Sequence, residues 1–369
     1  MSRLATAGAL AGVAAVLVAG CGRSGAAADA IAVDTSDTTC KVAKTTLSSG
    51  THTFRIKSTA SKVTEFEIVR PDGRIVAERE NIGPSTTVTL TAELAAGTYQ
   101  AACIPGMVGK GVRTPLKVTG GAAAERDPQL DTAVSSYRDY VGAQVDDTLA
   151  KTRKFVAAVK AGDVAKAKRL YAPSRYGWEA IEPVAESFGD IDPKVDTRQA
   201  DLQPGQKWTG WHVIEKALWT SGTTKGMSGY ADQLEHELTV LKERVGTAVI
   251  TPTSMANGAK ELLDEVATNK VTGEEEAFSH TDLSDFEANV VGAKKVYTLL
   301  RPVVQKRDKA LASSLDTEFA AVLGALKKYE RGDAYVSYAT VGKADRKQLS
   351  DKVNALAEPL SKLAGVVAR

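Results

Sequence analysis

The chain has 369 residues, of which 43% are hydrophobic and 25% charged, and its formal net charge is +2. That composition excludes a disordered chain and leaves room for two or three domains, each with its own core. No basic block and no basic–aromatic alternation occurs, which argues against a nucleic-acid partner.

Residues 1–20 read as a lipoprotein signal peptide. Arg3 is the only charge before an Ala-rich apolar run from Leu4 to Ala19, a short h-region and not a spanning helix. Leu17-Val18-Ala19-Gly20-Cys21 resembles the bacterial lipobox. That resemblance implies a lipidated Cys21 and a mature protein anchored at the cell membrane, facing the periplasm or the outer surface. Several acyl chains anchor stably where one binds weakly. Residues 21–30 are small and suit a flexible tether.

From 31 to 119 the pattern has period two. Thr53-Phe54-Arg55-Ile56-Lys57, Phe66-Glu67-Ile68-Val69 and Thr87-Val88-Thr89-Leu90 are separated by turn signals such as Pro71-Asp72-Gly73 and Gly83-Pro84. About seven short strands predict a small β-sandwich. Within it, Leu94-Ala95-Ala96-Gly97-Thr98-Tyr99 through Cys103-Ile104-Pro105-Gly106-Met107 resembles the last hairpin of a cupredoxin. Cys103 and Met107 match that family's copper ligands in type, but no histidine lies between them and His52 is not placed like either family ligand. A blue-copper centre needs two imidazoles and a thiolate, so the electron-transfer site is missing. Cys40 and Cys103 then have two readings. One is a structural disulfide, worth about 4 kcal/mol through loop closure. The other is an altered second metal site with a nearby glutamate such as Glu65. Glu65 and Glu67 flank Phe66, and Glu78, Arg79 and Glu80 follow.

Residues 120–127 are a Gly/Ala linker. From 128 to 369 the apolar residues recur every three to four positions, and β signals nearly vanish. Helices are expected from Pro128 to Val159, from Val164, and over about 210–219, Met227–Val245, Ser254–Asn269, Thr281–Tyr297, Pro302–Tyr329 and Tyr338–Val366. This is an all-α region sized for two four-helix bundles packed end to end.

The stretch Trp211-His212-Val213-Ile214-Glu215-Lys216-Ala217-Leu218-Trp219 has two unlike faces. Val213, Ile214, Ala217 and Leu218 form a core stripe. His212 and Glu215 sit one turn apart on the other face, a spacing that lets both reach one ion. Three acidic stretches could join them: Glu179 and Glu182 before Pro183; Asp190, Asp192 and Asp196; and Glu274-Glu275-Glu276 before His280 and Asp282. Each also has a plain structural reading as a turn, a cap or a solvated helix start. The shared donors are carboxylate oxygens with a little imidazole, which suits iron, manganese or zinc and not Cu(I). No zincin His-Glu-x-x-His, G-x-S-x-G, P-loop or Rossmann glycine pattern is present.

Several strings, in order, resemble the imelysin-like family: Leu170-Tyr171-Ala172-Pro173-Ser174-Arg175, Ile181-Glu182-Pro183, Trp211 through Leu218, Ser279-His280-Thr281-Asp282-Leu283 and Leu299-Leu300-Arg301-Pro302. A cupredoxin-like domain ahead of an imelysin-type double helical bundle is similar to the extracytoplasmic lipoprotein of tripartite ferrous-iron uptake systems. The resemblance implies iron, Fe2+ or Fe3+, as the bound metal, with zinc and copper as the alternatives. It implies delivery to a membrane iron permease, beside a haem peroxidase-like component. The family's His-x-x-Glu falls on His212 and Glu215. Its further metal-site carboxylates fall on Glu179, Glu182 and Asp196, less securely on Glu275 and Glu276. Two other roles known in the family are a zinc-dependent peptidase and a cation-dependent binder of anionic polysaccharide. The enzyme reading is the weaker, because the zincin base is missing.

Overall fold

The computed structural model describes residues 30–120 and 127–369. The signal peptide, Cys21, the tether before residue 30 and residues 121–126 of the linker lie outside the described residues. The first region holds β1 (Ile31–Thr35), β2 (Cys40–Val42), β3 (Thr46–Ser48), β4 (Gly50–Ser58), β5 (Thr64–Val69), β6 (Ile75–Ile82), β7 (Thr87–Leu94), β8 (Gly97–Pro105) and β9 (Val112–Thr119). That is more strands than the alternation shows, because β2 and β3 are three residues each and too short to display a period. They form two sheets, ordered β2-β1-β4-β7 and β3-β9-β8-β5-β6. Phe54, Phe66, Ile68, Leu90 and Leu116 fill the space between them. Cys40 and Cys103 are joined in a disulfide in that core, so of the two readings of this pair the structure takes the disulfide.

One strand departs from a simple sandwich. Along β5, Phe66 and Ile68 point into the core, and the alternation sends Glu65 and Glu67 to the outer face. An outer face is ordinarily wet, yet both glutamates are buried, and Glu186 of the helical region stands beside them.

The helices are α1 (Pro128–Lys160), α2 (Val164–Glu179), α3 (Asp192–Val195), α4 (Trp211–Thr220), α5 (Ser228–Val245), α6 (Pro252–Thr268), α7 (Asp282–Arg307), α8 (Lys309–Leu326), α9 (Lys343–Leu360) and α10 (Leu363–Val367). Caps explain several boundaries. Asp163 accepts the Lys166 N–H at 2.9 Å to start α2, and Thr251 and Ser254 form a capping box on α6. Two expected boundaries move. The helix does not restart at Pro302, which lies inside α7; the break falls at Asp308, whose side chain caps α8 through Leu311 N. A proline removes one helical hydrogen bond but does not end a helix that packing holds on several sides. The last expected helix begins instead as a short 3-10 turn, Tyr338–Thr340, before α9.

α1, α2, α4 and α5 pack together, as do α6, α7, α8 and α9. The two groups share α7 and one continuous apolar core, so they join along a helix and not only at their ends. α6 is also the helix that meets the sandwich. Asn257 donates to Thr91 O at 2.9 Å, and Arg79 of β6 pairs with Glu261 at 2.5 Å. Gly258 lets α6 lie against the bend after α2: a Cβ there would sit 1.7 Å from Pro183 O.

Candidate metal centre

The elements around α4 build the site. α2 is sequence-coded as a two-faced helix, and one face carries Tyr171, Arg175, Trp178 and Glu179, all fully buried. Pro183 turns the chain after α2 into a 3-10 segment, which places Glu182 beside Glu179. α3 then delivers Asp196. The chain returns through Gly210, whose φ is +88° and whose Cβ would sit 2.1 Å from Val195 O. Only glycine fits there. The close approach sets the first turn of α4 against Asp196.

His212 is 2% exposed. Its Nδ1 lies 3.0 Å from Glu215 Oε2, and its Nε2 lies 3.3 Å from Asp196 Oδ1. Burial and the neighbouring Arg175 charge push the imidazole toward neutrality, but hydrogen bonds to Asp196 and Glu215 overcome them and raise its pKa to about 9. In the ion-free state His212 is therefore an imidazolium donating to two carboxylates. Glu215 Oε1 accepts backbone N–H groups of Phe278 and Ser279 at 3.0 and 2.7 Å. Despite burial, those bonds and His212 hold Glu215 below the usual carboxylate range.

The residues singled out in the sequence converge. His212, Glu215, Glu179, Asp196, Glu275 and Glu276 are buried in one network, and Glu182 joins it at the edge. Two triads have donor atoms close enough for one ion, Asp196–His212–Glu275 and His212–Glu215–Glu276, with all atoms in each within 4.8 Å. Glu179 and Glu182 belong to neither triad. They are gathered by Lys270, 3.2 and 2.9 Å away, and by the Asn289 amide at 3.0 and 2.7 Å. Asp190 and Asp192 do not enter: Asp190 pairs with Lys194 and Arg244 at the surface, and Asp192 faces the cleft toward the sandwich. Glu274 lines a pocket of about 280 Å³ that opens beside His212 and Glu215. His280 stays outside the network, in a left-handed turn with φ 57°.

At the centre is a residue not assigned a site role from sequence. The Arg175 guanidinium is fully buried and touches Glu179 at 2.5 Å, Glu276 at 2.8 Å, Glu275 at 3.4 Å and Asp196. Trp211 and Tyr171 flank it at 5.5 and 5.9 Å. Its charge holds Asp196 well below the usual range against the effect of burial. The cations do not balance the cage completely. Glu276 and Asp285 are pushed well up, first by burial and then by neighbouring carboxylates. Asp285 stands beside the Glu276 carboxyl and 3.8 Å from Arg175 Nε, with no further donor among the described residues. Asp282, its carboxyl raised to about 6 by burial, accepts the Glu276 N–H at 3.2 Å and so holds the glutamate turn instead of capping its own helix. The legible signals were the i, i+4 pair Arg175–Glu179 and the Asp282/Asp285/Asn289 spacing on one face of α7; nothing local marked Lys270.

An oxygen-rich set around one imidazole, with unsatisfied buried carboxylate oxygens, fits a hard or borderline cation. The Imelysin family model matches residues 133–363, and the Cupredoxin-like domain model matches residues 8–113. The chain belongs to the imelysin family. Curated relatives include the iron uptake system component EfeO of Escherichia coli K12 and that of Shigella flexneri. Each is 38% identical over 342 residues, covering 91% of this chain and 91% of the relative. The imelysin domain of this chain therefore carries the His-x-x-Glu pair in a closed, carboxylate-rich cage, behind a cupredoxin-like sandwich whose two core cysteines are bonded to each other.

Proposed function

We propose that this protein is the iron-capturing component of an uptake system, binding iron as cargo in the cage around His212 and passing it to a membrane permease. The reading extends to a lipid anchor at Cys21, a location outside the cytoplasm and a haem peroxidase-like companion. Its strongest support is the pair of triads that share His212, within a chain whose curated relatives are named iron uptake components over nine-tenths of their length. His212 offers one nitrogen to each triad, so an ion would replace a proton on that nitrogen. Arg175 must yield contacts to Asp196, Glu275 or Glu276 as the ion enters. It serves as the internal counter-charge that keeps the cage folded before loading.

A hydrolytic role draws less support. Glu215 is held ionised by two backbone N–H groups and His212, which makes it a poor general base. Calorimetric titration of the purified protein with ferrous ion under anaerobic conditions, and with ferric citrate, tests the reading. Tight binding should weaken about 100-fold or more in His212→Ala and in Glu215→Gln. Equal affinity in both variants sinks the assignment. Peptide hydrolysis dependent on zinc and lost in Glu215→Gln would put the peptidase in its place.

A further inference from the structure

Two cavities reach the cage, and one ion pair stands between them. The smaller, about 280 Å³, opens onto His212 and Glu215, with Arg198 and Gln199 on one lip and Glu274, Ala277 and Phe278 on the other. It has room for an ion with its shell of waters, at about 30 Å³ a water. The larger, about 920 Å³, lies toward the sandwich and reaches Asp196. Arg198 and Glu275 line both cavities.

Arg198 has two carboxylate partners in unlike places. Inward, its Nη1 lies 3.4 Å from Glu275 Oε2, and Glu275 belongs to the buried triad with Asp196 and His212. Outward, its Nε lies 2.5 Å from Asp201, an exposed residue three positions on. A charged hydrogen bond is about 2.7–2.9 Å when tight, so the inward contact is the one that breaks easily. Glu275 is held loosely from every side, with Arg175 also at 3.4 Å and Lys270 at 3.8 Å. The lips themselves are tied. Lys216 Nζ bonds Gln199 Oε1 at 2.9 Å and sits 5.7 Å from the Phe278 ring centroid. An ion that takes a Glu275 oxygen must displace Arg198, and its charge repels the guanidinium. Asp201 is already in place to keep the displaced side chain.

We propose that Arg198 is the gate residue of the cage: paired with Glu275 it bars the inner end of the 280 Å³ mouth, and held by Asp201 alone it admits an ion to His212 and Glu275. This rests on the cage binding iron. Arg198 is a positioning residue that sets the rates of loading and release, and it is not a ligand.

Stopped-flow mixing of the full chain with ferrous ion under anaerobic conditions, followed by tryptophan fluorescence, reads the loading rate. A ferrous chelator in excess reads release. Arg198→Ala should raise both rates about 10-fold without weakening binding, since a competing cation is lost. Arg198→Lys keeps the charge but not the fork between two carboxylates, and should fall between. Asp201→Asn should slow loading in the wild-type background and change nothing in Arg198→Ala. Simple attraction of the ion by Asp201 would instead give additive effects. Ala277→Trp should obstruct the mouth and slow both rates, whereas Gln203→Trp, in the larger cavity, should leave them unchanged. Circular dichroism checks that each variant folds. Iron binding that is lost in His212→Ala, with rates unaltered in Arg198→Ala or with additive effects of Asp201→Asn, overturns the gate and spares the cage. Slowing by Gln203→Trp and not by Ala277→Trp overturns the route. Binding that survives His212→Ala sinks the cage, and the gate with it.

Discussion

The cage around His212 and the acidic face of β5 and β6 are made from the same side chains, but they handle charge in opposite ways. In the cage, Arg175, Lys270 and the His212 imidazolium stand among the carboxylates and hold Asp196, Glu215 and Glu275 ionised. On the sheet face no cation pairs with Glu65, Glu78 or Glu80 among the described residues, and all three are pushed toward the protonated form. The cage is stable when empty because the protein supplies its own positive charge. The sheet face lacks such a charge and relieves its repulsion by holding protons instead.

Removing the internal cation tests that contrast most severely. Arg175→Met should destabilise the ion-free protein by about 3–5 kcal/mol, because it strands a group of buried carboxylates. Urea unfolding measures it, and added iron should restore part of the loss. A variant as stable as wild type would mean that the cage does not need its guanidinium.

His212 gives the next effect, and it depends on pH. The folded pKa of about 9 lies above the ordinary 6.5, so folding gains about 3 kcal/mol that is complete below pH 6.5 and disappears as pH rises to 9. The imidazolium faces Asp196, Glu215, Arg175 and Tyr171. In His212→Gln that slope should vanish from the stability profile between pH 6.5 and 9. An unchanged slope would show that His212 is neutral in the folded protein.

The last effect has the opposite sign at neutral pH. Glu80 and Glu186 keep protons to about pH 8 that the unfolded chain releases near 4.5, so stability falls as pH rises through that interval. Glu80→Gln/Glu186→Gln should therefore be more stable than wild type at pH 8 without added metal, and the gain should shrink as pH falls toward 4.5. Thermal unfolding reads the gain, and a loss would mean that hidden partners already compensate these carboxylates.

What could be read from the sequence divides along the same line. The alternation around Phe54 and Phe66 gives the sandwich, and the four-residue recurrence from Tyr137 to Leu149 gives α1, because each pattern is local and periodic. The His212/Glu215 face is legible for the same reason. The counter-charges are not. Arg175 sits in a stripe whose neighbours read as core, and Lys270 reaches Glu179 across 91 positions of chain. The covered face of β5 was also hidden: Glu65 and Glu67 obey the rule for a solvent-facing strand, yet both are buried, with Glu186 of the helical region beside them. The triplet Glu274-Glu275-Glu276 resembles a solvated helix start, yet its turn is drawn inward by Glu215 and Asp282.

The spacing of these contacts along the chain also governs when the cage can exist. Arg175 meets Glu275 across 100 residues, and Asn289 meets Glu179 across 110. A polypeptide emerging from its amino end has Arg175, Glu179, Asp196, His212 and Glu215 first, and gains Lys270, Glu275, Glu276 and, within α7, Asn289 only later. Until those later segments dock, the buried network lacks one of its walls. Assembly order thus acts as a timer that closes the cage only when folding is nearly finished.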